Sequence, residues 1–399
     1  MHCRNCKKKL FNKVINIGKQ CISSVFPEKI KNNFKKYSLD LYKCDYCELV
    51  QFKKTPPFQD MYGLTYGYRT SLSPLMIDHI KDKYKYINKK KYLKNGSSIL
   101  DIGSNDGTFL NNFNKKKIKI IGFEPSSNVA NISKKKGIKT VNSFFNYKNV
   151  KNLKSLHKKI NIITAANVIC HIPDLKNLIK GIEFLLNDKG FFIFEEPYLG
   201  SMYDKVSYDQ IYDEHIYIFS VHSIKKIFER YNFELIDVIP QNTHGGSMRY
   251  VVSRKGQNKV KFSVEKLLKK EKIKNIDNLK GCLKFKKRCE KSKKDLIKKI
   301  NRLKKDKKII AGYGATSKST TILNYCGIDY KKIKFICDTT PEKIGKFSPG
   351  THIPIVPMKH FYSNLPDAIF LFAWNHKKEI FEKEKKLIKK KNWFAHIRL

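Results

Sequence analysis

Apolar and polar positions alternate along the middle of the chain in a strand-and-helix rhythm. Residues 97–103 predict a buried strand that runs into a glycine turn. Residues 175–190 predict an amphipathic helix that stops at a glycine. Further strands are predicted at 119–126, 160–174 and 191–197. Because strands and helices alternate, we expect a mainly parallel sheet with helices on both faces.

Two later patterns extend this plan. Residues 233–241 and 247–254 flank a His-Gly-Gly segment and predict an antiparallel pair, which favours a methyltransferase core over a dehydrogenase. A second strand-and-helix block begins at Lys307. Its further predicted strands are 332–338, 353–357 and 367–374.

The chain divides into four predicted segments, because 399 residues exceed what one hydrophobic core supports. Residues 1–60 form a small metal-binding module and 61–255 the main αβ core, which opens with a helix near residues 75–84. Residues 256–306 are rich in Lys and predict one or two exposed connecting helices. Residues 307–399 form the second αβ domain.

The formal net charge of +47 suggests a polyanion partner, but the kind of basic residue argues against one. Only 8 of the 82 basic residues are Arg, and the Lys residues are spread along the chain. This pattern indicates a compositional bias toward Lys, since phosphate and base recognition favours Arg. No apolar run approaches the ~20 residues of a membrane span. We therefore expect a cytoplasmic protein without a membrane or nucleic-acid partner.

Two Cys pairs predict a structural zinc site. Cys3 and Cys6 form one Cys-x2-Cys pair, and Cys44 and Cys47 form the other. Four thiolates complete a tetrahedral zinc and leave no position open for catalysis. Four unligated or redox-active thiols are the alternative.

A glycine turn after the first strand predicts a nucleotide-type cofactor site. The segment Asp101–Gly107 follows that strand, and Glu124 ends the next one, where an acid can hold ribose hydroxyls. The turn lacks the G-x-G-x-x-G spacing, which disfavours a dinucleotide. A plain tight turn is the alternative. Asn167 and His171 follow a later strand, and His171 could equally be a structural histidine.

The segment 208–220 is dense in Tyr, acidic residues and His. Within it Glu214 and His215 together could form a general base with a supporting carboxylate. A polar loop without catalytic function is the alternative. A second glycine turn, 312–318, with Asp338 after the next strand, resembles a phosphate-binding or purely structural Rossmann turn.

The order of these motifs resembles the three-domain C-methyltransferases that act on nucleotide-linked keto-deoxysugars. The motifs after the two Cys pairs are YGYRTS, LDIGSNDGTFL, GFEPS, NVICHIPD, YDEHIYIFS, THGGSMR, GYGATSK and PGTHIPI. The resemblance covers nearly the whole chain. It implies a class I Rossmann-like methyltransferase core between an N-terminal zinc-binding module and a C-terminal Rossmann-like α/β domain.

The resemblance also implies a chemistry and its residues. A base removes the proton beside a ketone, and the enolate carbon takes a methyl group from S-adenosyl-L-methionine. His215 would be the base, and Glu214 would orient it. The sugar or enolate oxygen would meet Tyr212, His171 and Tyr66 or Tyr68. The residues around the cofactor would be Asp101, Gly103, Asn105, Asp106, Glu124 and Asn167.

Three other functions remain open at this point. The zinc module and basic surface could serve an RNA or protein methyltransferase. The two Rossmann-like halves could belong to an NAD-dependent sugar-modifying enzyme, and a non-catalytic binding protein could keep the same fold.

Overall fold

The computed structural model describes residues 2–30, 34–57 and 69–399, and its strands form three sheets within those ranges. The strands are β1 Asn12–Cys21, β2 Lys36–Lys43, β3 Val50–Phe52, β4 Ser98–Ile102, β5 Lys119–Phe123, β6 Lys139–Val141, β7 Ile160–Ala166, β8 Leu186–Pro197, β9 Tyr217–Ile218, β10 Phe233–Gln241, β11 Ser247–Arg254, β12 Ile310–Tyr313, β13 Ile336–Asp338, β14 Ile355–Pro357, β15 Ala368–Leu371 and β16 Asn392–Phe394. The α-helices are α1 Pro74–Lys89, α2 Ser127–Lys135, α3 Tyr147–Val150, α4 Leu175–Leu185, α5 Leu199–Lys205, α6 Val221–Glu229, α7 Phe262–Ile273, α8 Leu279–Lys305, α9 Ser317–Cys326, α10 Met358–Ser363, α11 Lys377–Lys383 and α12 Lys385–Ile388.

The largest sheet has seven strands in the order β10-β11-β8-β7-β4-β5-β6. Strand β11 pairs antiparallel with both β8 and β10, and the pairs among β4 to β8 are parallel. The predicted αβ core and its closing antiparallel pair are therefore confirmed. The carboxyl ends of β4, β5 and β7 meet at one edge, where an αβ sheet binds its ligands.

The C-terminal sheet has five parallel strands in the order β14-β13-β12-β15-β16. The chain moves outward from β12 to β14, then crosses to the other side of β12 for β15. This reversal opens a crevice beside the carboxyl end of β12, the usual ligand position in an open parallel sheet. The second Rossmann-like domain is therefore present as predicted.

The N-terminal sheet is antiparallel, in the order β1-β2-β3-β9. Its last strand, β9, comes from the middle of the chain and begins two residues after His215. Val50 faces Ile218, and Gln51 faces Tyr217 across this pairing. The N-terminal sheet therefore continues directly into the segment that carries the proposed base.

Helix α8 is less exposed than its Lys-rich sequence predicts. It presents one apolar stripe among its lysines, and that stripe joins the core shared by β1, β2 and the C-terminal sheet. The buried members of the stripe are Gly281, Cys282, Phe285, Cys289, Leu296 and Ile300. From Cys282 onward the buried residues are three, four or seven positions apart, which is a helical spacing. The lysines between them hide this amphipathic pattern when only the composition is counted. None of the helices in the described ranges is both long and apolar enough to span a membrane.

Candidate active site

A deep cleft lies where the carboxyl edge of the seven-stranded sheet faces the carboxyl edge of the C-terminal sheet. Its volume is about 2100 Å³, and residues of both sheets line it. Pockets for single small ligands are typically ~300–1,000 Å³. The cleft therefore has room for a cofactor and a second, sizeable ligand side by side.

The first glycine turn forms one wall of this cleft. Gly103 has a φ of +66°, and a Cβ there would lie 2.5 Å from Val168. Both facts exclude a larger residue without rearrangement. Asn105 has a φ of 50°, and its Oδ1 accepts a hydrogen bond from the Thr70 amide at 2.9 Å. The turn is thus shaped for close backbone approach to a ligand.

Glu124 lies directly after β5 and faces the cleft from a buried position. Its carboxylate accepts hydrogen bonds from the Asn105 amide at 3.0 Å and the Ser126 amide at 2.8 Å. Burial raises the pKa of this carboxyl, and these amide hydrogen bonds oppose the rise. The side chain is therefore held rigidly, with further acceptor capacity for a pair of ribose hydroxyls.

The other predicted cofactor residues divide into two groups. Asp101 and Asn167 line the cleft. Asn167 also has a left-handed φ of 55°, and its buried Oδ1 has no hydrogen-bond partner within the described residues. Asp106 instead turns inward, where its carboxylate accepts from the Thr108 hydroxyl at 2.6 Å and the Ser71 amide at 3.2 Å. It shapes the turn and is not part of the cleft wall.

His215 is held in one tautomer by its two neighbours. Its Nδ1 lies 2.9 Å from the backbone oxygen of Gln210, which can only accept, so Nδ1 carries the proton. Its Nε2 therefore has the lone pair and receives the Tyr212 hydroxyl at 2.6 Å. Burial and the nearby His171 ring lower the pKa of His215 well below its usual value. A neutral imidazole whose lone pair is on Nε2 can act as a base once the Tyr212 hydroxyl moves away.

His171 and Glu214 are also close to His215. The His171 ring lies 5.3 Å from the His215 ring, and its Nδ1 is 3.9 Å from the Glu214 carboxyl. Burial lowers the pKa of His171 to about 4 and, with Asp213, raises that of Glu214 to about 8. Both groups are therefore mostly neutral at pH 7. The contact that orients His215 comes from the Gln210 carbonyl, and Glu214 faces His171.

Two acids at the end of β8 organise this wall and were missed as functional residues. The buried Glu196 carboxylate accepts hydrogen bonds from three consecutive amides, those of Val168, Ile169 and Cys170. It thereby fixes the turn that carries His171. Glu195 lies 2.5 Å from His79, which lines the cleft. The only feature of the sequence that could have indicated these two residues is their position, as a pair of acids at the end of an apolar strand.

Four cysteines form a compact cluster at the N-terminus. The sulfurs of Cys3 and Cys47 are 3.5 Å apart, and those of Cys6 and Cys44 are 3.4 Å apart. Four thiolates around zinc, with Zn–S of about 2.3 Å, form a tetrahedron with edges of about 3.8 Å. All four sulfurs lie within 4.8 Å of one another, so the cluster fits one zinc.

The surroundings of the cluster also suit a metal site. The Gln51 side-chain amide donates to Cys3 Sγ at 3.1 Å. Such outer contacts orient metal ligands and are part of a working site. Lys7 and Glu48, which follow the second Cys of each pair, adopt left-handed φ angles of 63° and 58°. Lys7 and Glu48 therefore adopt the left-handed backbone conformation that glycine usually adopts in such turns.

Comparison with known protein families accounts for the three parts of the chain. Residues 3–62 match a family of zinc-binding domains, residues 76–238 a methyltransferase domain, and residues 242–397 a C-methyltransferase C-terminal domain. This chain is an S-adenosylmethionine-dependent C-methyltransferase. Its cofactors are S-adenosylmethionine and zinc, and the cysteine cluster is the zinc site.

Individual relatives are distant. The methyltransferase is 27% identical over 353 residues to the C-methyltransferase NovU of Streptomyces niveus, covering 88% of this chain and 84% of the relative. Among solved structures, magnesium protoporphyrin IX methyltransferase of Synechocystis has a TM-score of 0.34 at 12% identity, covering 45% of this chain and 79% of that one. A methyltransferase of Archaeoglobus fulgidus has a TM-score of 0.33 at 20% identity, covering 42% and 71%.

Removal of the Glu124 carboxylate should weaken cofactor binding by the methyltransferase. Hydrogen bonds to a charged group contribute about 1.5–3 kcal/mol, so Glu124→Ala should raise the Kd for S-adenosylmethionine by about 10- to 100-fold. Calorimetry measures this directly. Glu229→Ala, which removes a surface acid on α6, is the control and should leave the Kd unchanged. An unchanged Kd for Glu124→Ala would mean that another group holds the ribose.

The C-terminal domain supplies the far wall of the cleft. The second glycine turn ends at Thr316, whose side chain caps α9 by accepting from the Ser319 amide at 3.1 Å. Asp338 accepts from the Ala315 amide at 2.6 Å and also lines the cleft. The predicted turn and strand-end acid are therefore adjacent, as in other Rossmann folds.

A buried network joins this domain to the segment that carries His215. Asp209 accepts from the Trp374 indole at 2.7 Å and lies 3.1 Å from His396 Nε2. Trp374 also packs against Gly245, where a Cβ would lie only 2.2 Å from the ring. Asp209 thus fixes the two cleft walls relative to each other.

The Asp209 network should contribute strongly to stability. Removing one partner of a buried ionic or hydrogen-bonded pair costs about 3–5 kcal/mol, so Asp209→Ala should lower the free energy of unfolding by that amount. Denaturant titration measures it. Asp204→Ala breaks an exposed pair with Lys274 and should cost about 0–1 kcal/mol. Equal losses for both variants would contradict the role given to Asp209.

Tyr66 and Tyr68 were also predicted to contact the substrate. They lie outside the residues that the structure describes, so their place in the cleft stays a prediction. His79 and His244 also line the cleft and were not singled out by sequence. His244 belongs to the His-Gly-Gly motif, which pointed to a loop at this position without indicating its chemistry.

Proposed function

We propose that this enzyme methylates the carbon beside the ketone of a nucleotide-linked keto-deoxysugar, and that His215 removes the proton from that carbon. The observation that carries the proposal is the tautomer of His215. Its Nδ1 is bound to the Gln210 carbonyl, its Nε2 lone pair accepts the Tyr212 hydroxyl, and both His215 and Tyr212 line the cleft. A neutral histidine can accept the substrate proton directly, because it does not first have to lose a proton of its own.

The surroundings of His215 support enolate formation. Removing the α-proton leaves negative charge on the ketone oxygen, which neutral hydrogen-bond donors stabilise in a site shielded from water. The Tyr212 hydroxyl, His171 and protonated Glu214 all line this part of the cleft. Each of these groups can donate a hydrogen bond to the enolate oxygen while it is neutral, so the site needs no permanently charged, buried cation. The same three groups would hold the sugar so that its α-carbon points toward the cofactor side.

The cofactor side of the cleft fits S-adenosylmethionine, which supplies an electrophilic methyl group when bound. Glu124 would hold the ribose, and the unpartnered Oδ1 of Asn167 would accept a hydrogen bond from the cofactor. Gly103 allows the backbone to approach it closely. The zinc cluster is a separate site in the N-terminal module, so its function is structural.

The nucleotide part of the substrate would lie along the C-terminal wall. The amino end of α9 opens toward the cleft at Thr316 and Ser317, and a helix amino end favours phosphate oxygens. Lys343 and Lys346 line the same wall and add positive charge. The size of the cleft and this charge both suit a diphosphate-linked sugar better than a small neutral ketone.

The direct test is incubation of the zinc-loaded protein with methyl-labelled S-adenosylmethionine and a panel of nucleotide-linked keto sugars. We expect label to enter at least one keto sugar and none of the matching sugars whose ketone has been reduced to an alcohol. Transfer to the reduced sugars, or to bulk RNA or protein in place of the keto sugars, would contradict the proposal.

A further inference from the structure

A second group of potential metal ligands lies inside the active site, apart from the N-terminal cysteine cluster. It consists of Cys170, His171 and His215, whose ligand atoms lie within 4.8 Å of one another. A cysteine and two histidines are the donors that zinc and cadmium prefer. We propose that these three side chains bind a thiophilic divalent cation, and that the bound cation blocks the active site.

The distances require only small movements. In a tetrahedral site built from Cys and His, ligand atoms are about 3.3–3.6 Å apart, so shifts of about 1 Å would close the triangle. Cys170 and His171 sit on one short helical turn, and Glu196 holds the amide of Cys170 at 3.3 Å. The turn is therefore rigid, and closure depends on side-chain rotation.

The hydrogen bonds around His215 already match those of a metal ligand. Histidine ligands typically donate their other ring nitrogen to a carbonyl or carboxylate, which fixes the tautomer. His215 donates Nδ1–H to the Gln210 carbonyl, so Nε2 is the atom that would bind the cation. The cation would displace the Tyr212 hydroxyl from Nε2.

Three protein ligands leave the fourth position of a tetrahedral cation open to water. Cys170 is buried and the two histidines line the cleft, so we place this open position on the cleft side. On binding, the Cys170 thiol releases its proton to solvent and a sulfur–metal bond forms, with no redox change. The Nε2 lone pair of His215 is then occupied. The inference that a bound cation prevents turnover rests on the proposed function, in which His215 is the base. The inference that the cation binds does not.

The test is a metal stoichiometry, measured without any sugar. Protein holding one zinc at its N-terminal cluster is dialysed against excess buffered zinc and analysed for metal. We expect about two zinc ions per chain for the wild type and about one for Cys170→Ala and for His215→Asn. Cys289→Ala, which removes a buried thiol of α8 far from the cleft, is the matched control and should keep two.

A spectroscopic measurement with a second metal tests the same site if one of these variants folds poorly. Cobalt(II), which binds more weakly than zinc and so leaves the N-terminal zinc in place, should give the one-zinc wild type a new thiolate-to-cobalt absorbance, and Cys170→Ser should lack it while still binding S-adenosylmethionine. One zinc per chain in the wild type at saturation, or a second ion that persists in both Cys170→Ala and His215→Asn, would overturn the proposal. Either result leaves the methyltransferase proposal untouched, because no turnover is measured.

Discussion

Replacing His215 with Asn is expected to abolish exchange of the substrate α-proton with solvent. In deuterated water, with the demethylated cofactor product bound, the wild type should incorporate deuterium beside the ketone of the keto sugar. Asn keeps polarity but has no basic lone pair. A positioned base contributes about 10²–10⁴-fold in rate, so exchange should fall by at least 10²-fold. NMR of the recovered sugar measures the rate.

The matched control for this experiment is His171→Asn. His171 shares the cleft wall with His215, and its ring lies 5.3 Å away. If it only donates to the ketone oxygen, its loss should slow exchange less than the loss of His215. Both variants should still bind the cofactor, because the residues predicted to hold it, Glu124 and Gly103, are on another part of the wall. Wild-type exchange in His215→Asn together with loss of exchange in His171→Asn would reverse the assignment.

Loss of the N-terminal zinc should reduce catalysis without removing cofactor binding. Cys44 and Cys47 immediately precede β3, whose Phe52 amide donates to the Ile216 carbonyl at 2.9 Å. Ile216 is the residue after His215. The zinc cluster therefore holds one end of a strand that positions the base. Metal-free protein should exchange the α-proton more slowly, yet bind S-adenosylmethionine with nearly the same Kd.

The variant that tests the loss of zinc is Cys44→Ala, and its control is Cys326→Ala. Both remove one buried thiol, but only the first removes a zinc ligand. Structural zinc sites hold the metal with about 10–16 kcal/mol, so loss of one ligand should lower the free energy of unfolding by at least about 3 kcal/mol. Cys326→Ala should cost less and keep the zinc. Unchanged exchange in a folded, metal-free Cys44→Ala protein would contradict the coupling between the zinc module and His215.

Local patterns in the sequence were sufficient to predict the architecture. Alternating apolar strands and amphipathic helices predicted the seven-stranded and the five-stranded sheets, since each of these signals lies within a few residues. The glycine turn at Gly103 and the acid at Glu124 were predictable because a close backbone approach and a strand-end carboxylate have fixed spacing. The cysteine pairs were predictable for the same reason.

What the sequence did not predict depends on contacts between distant segments. Strand β9 has only two residues, and its pairing with β3 joins positions more than 160 residues apart. The partner of His215 is a backbone oxygen, that of Gln210, which has no side-chain signature. Glu196 acts on backbone amides in the same way. Asp106 was predicted at the cofactor because of its place in the turn, and the sequence did not show that its carboxylate accepts hydrogen bonds from the Thr108 hydroxyl and the distant Ser71 amide.

The central claim is that the methyl group is transferred to carbon beside a ketone. The most direct test is carbon-13 NMR of the product formed from methyl-labelled S-adenosylmethionine and a nucleotide-linked keto sugar. We predict one new methyl signal with carbon–carbon coupling to the α-carbon of a sugar labelled at that position, and no product from His215→Asn. A label on oxygen or nitrogen, or coupling to a carbon not adjacent to the ketone, would contradict the account.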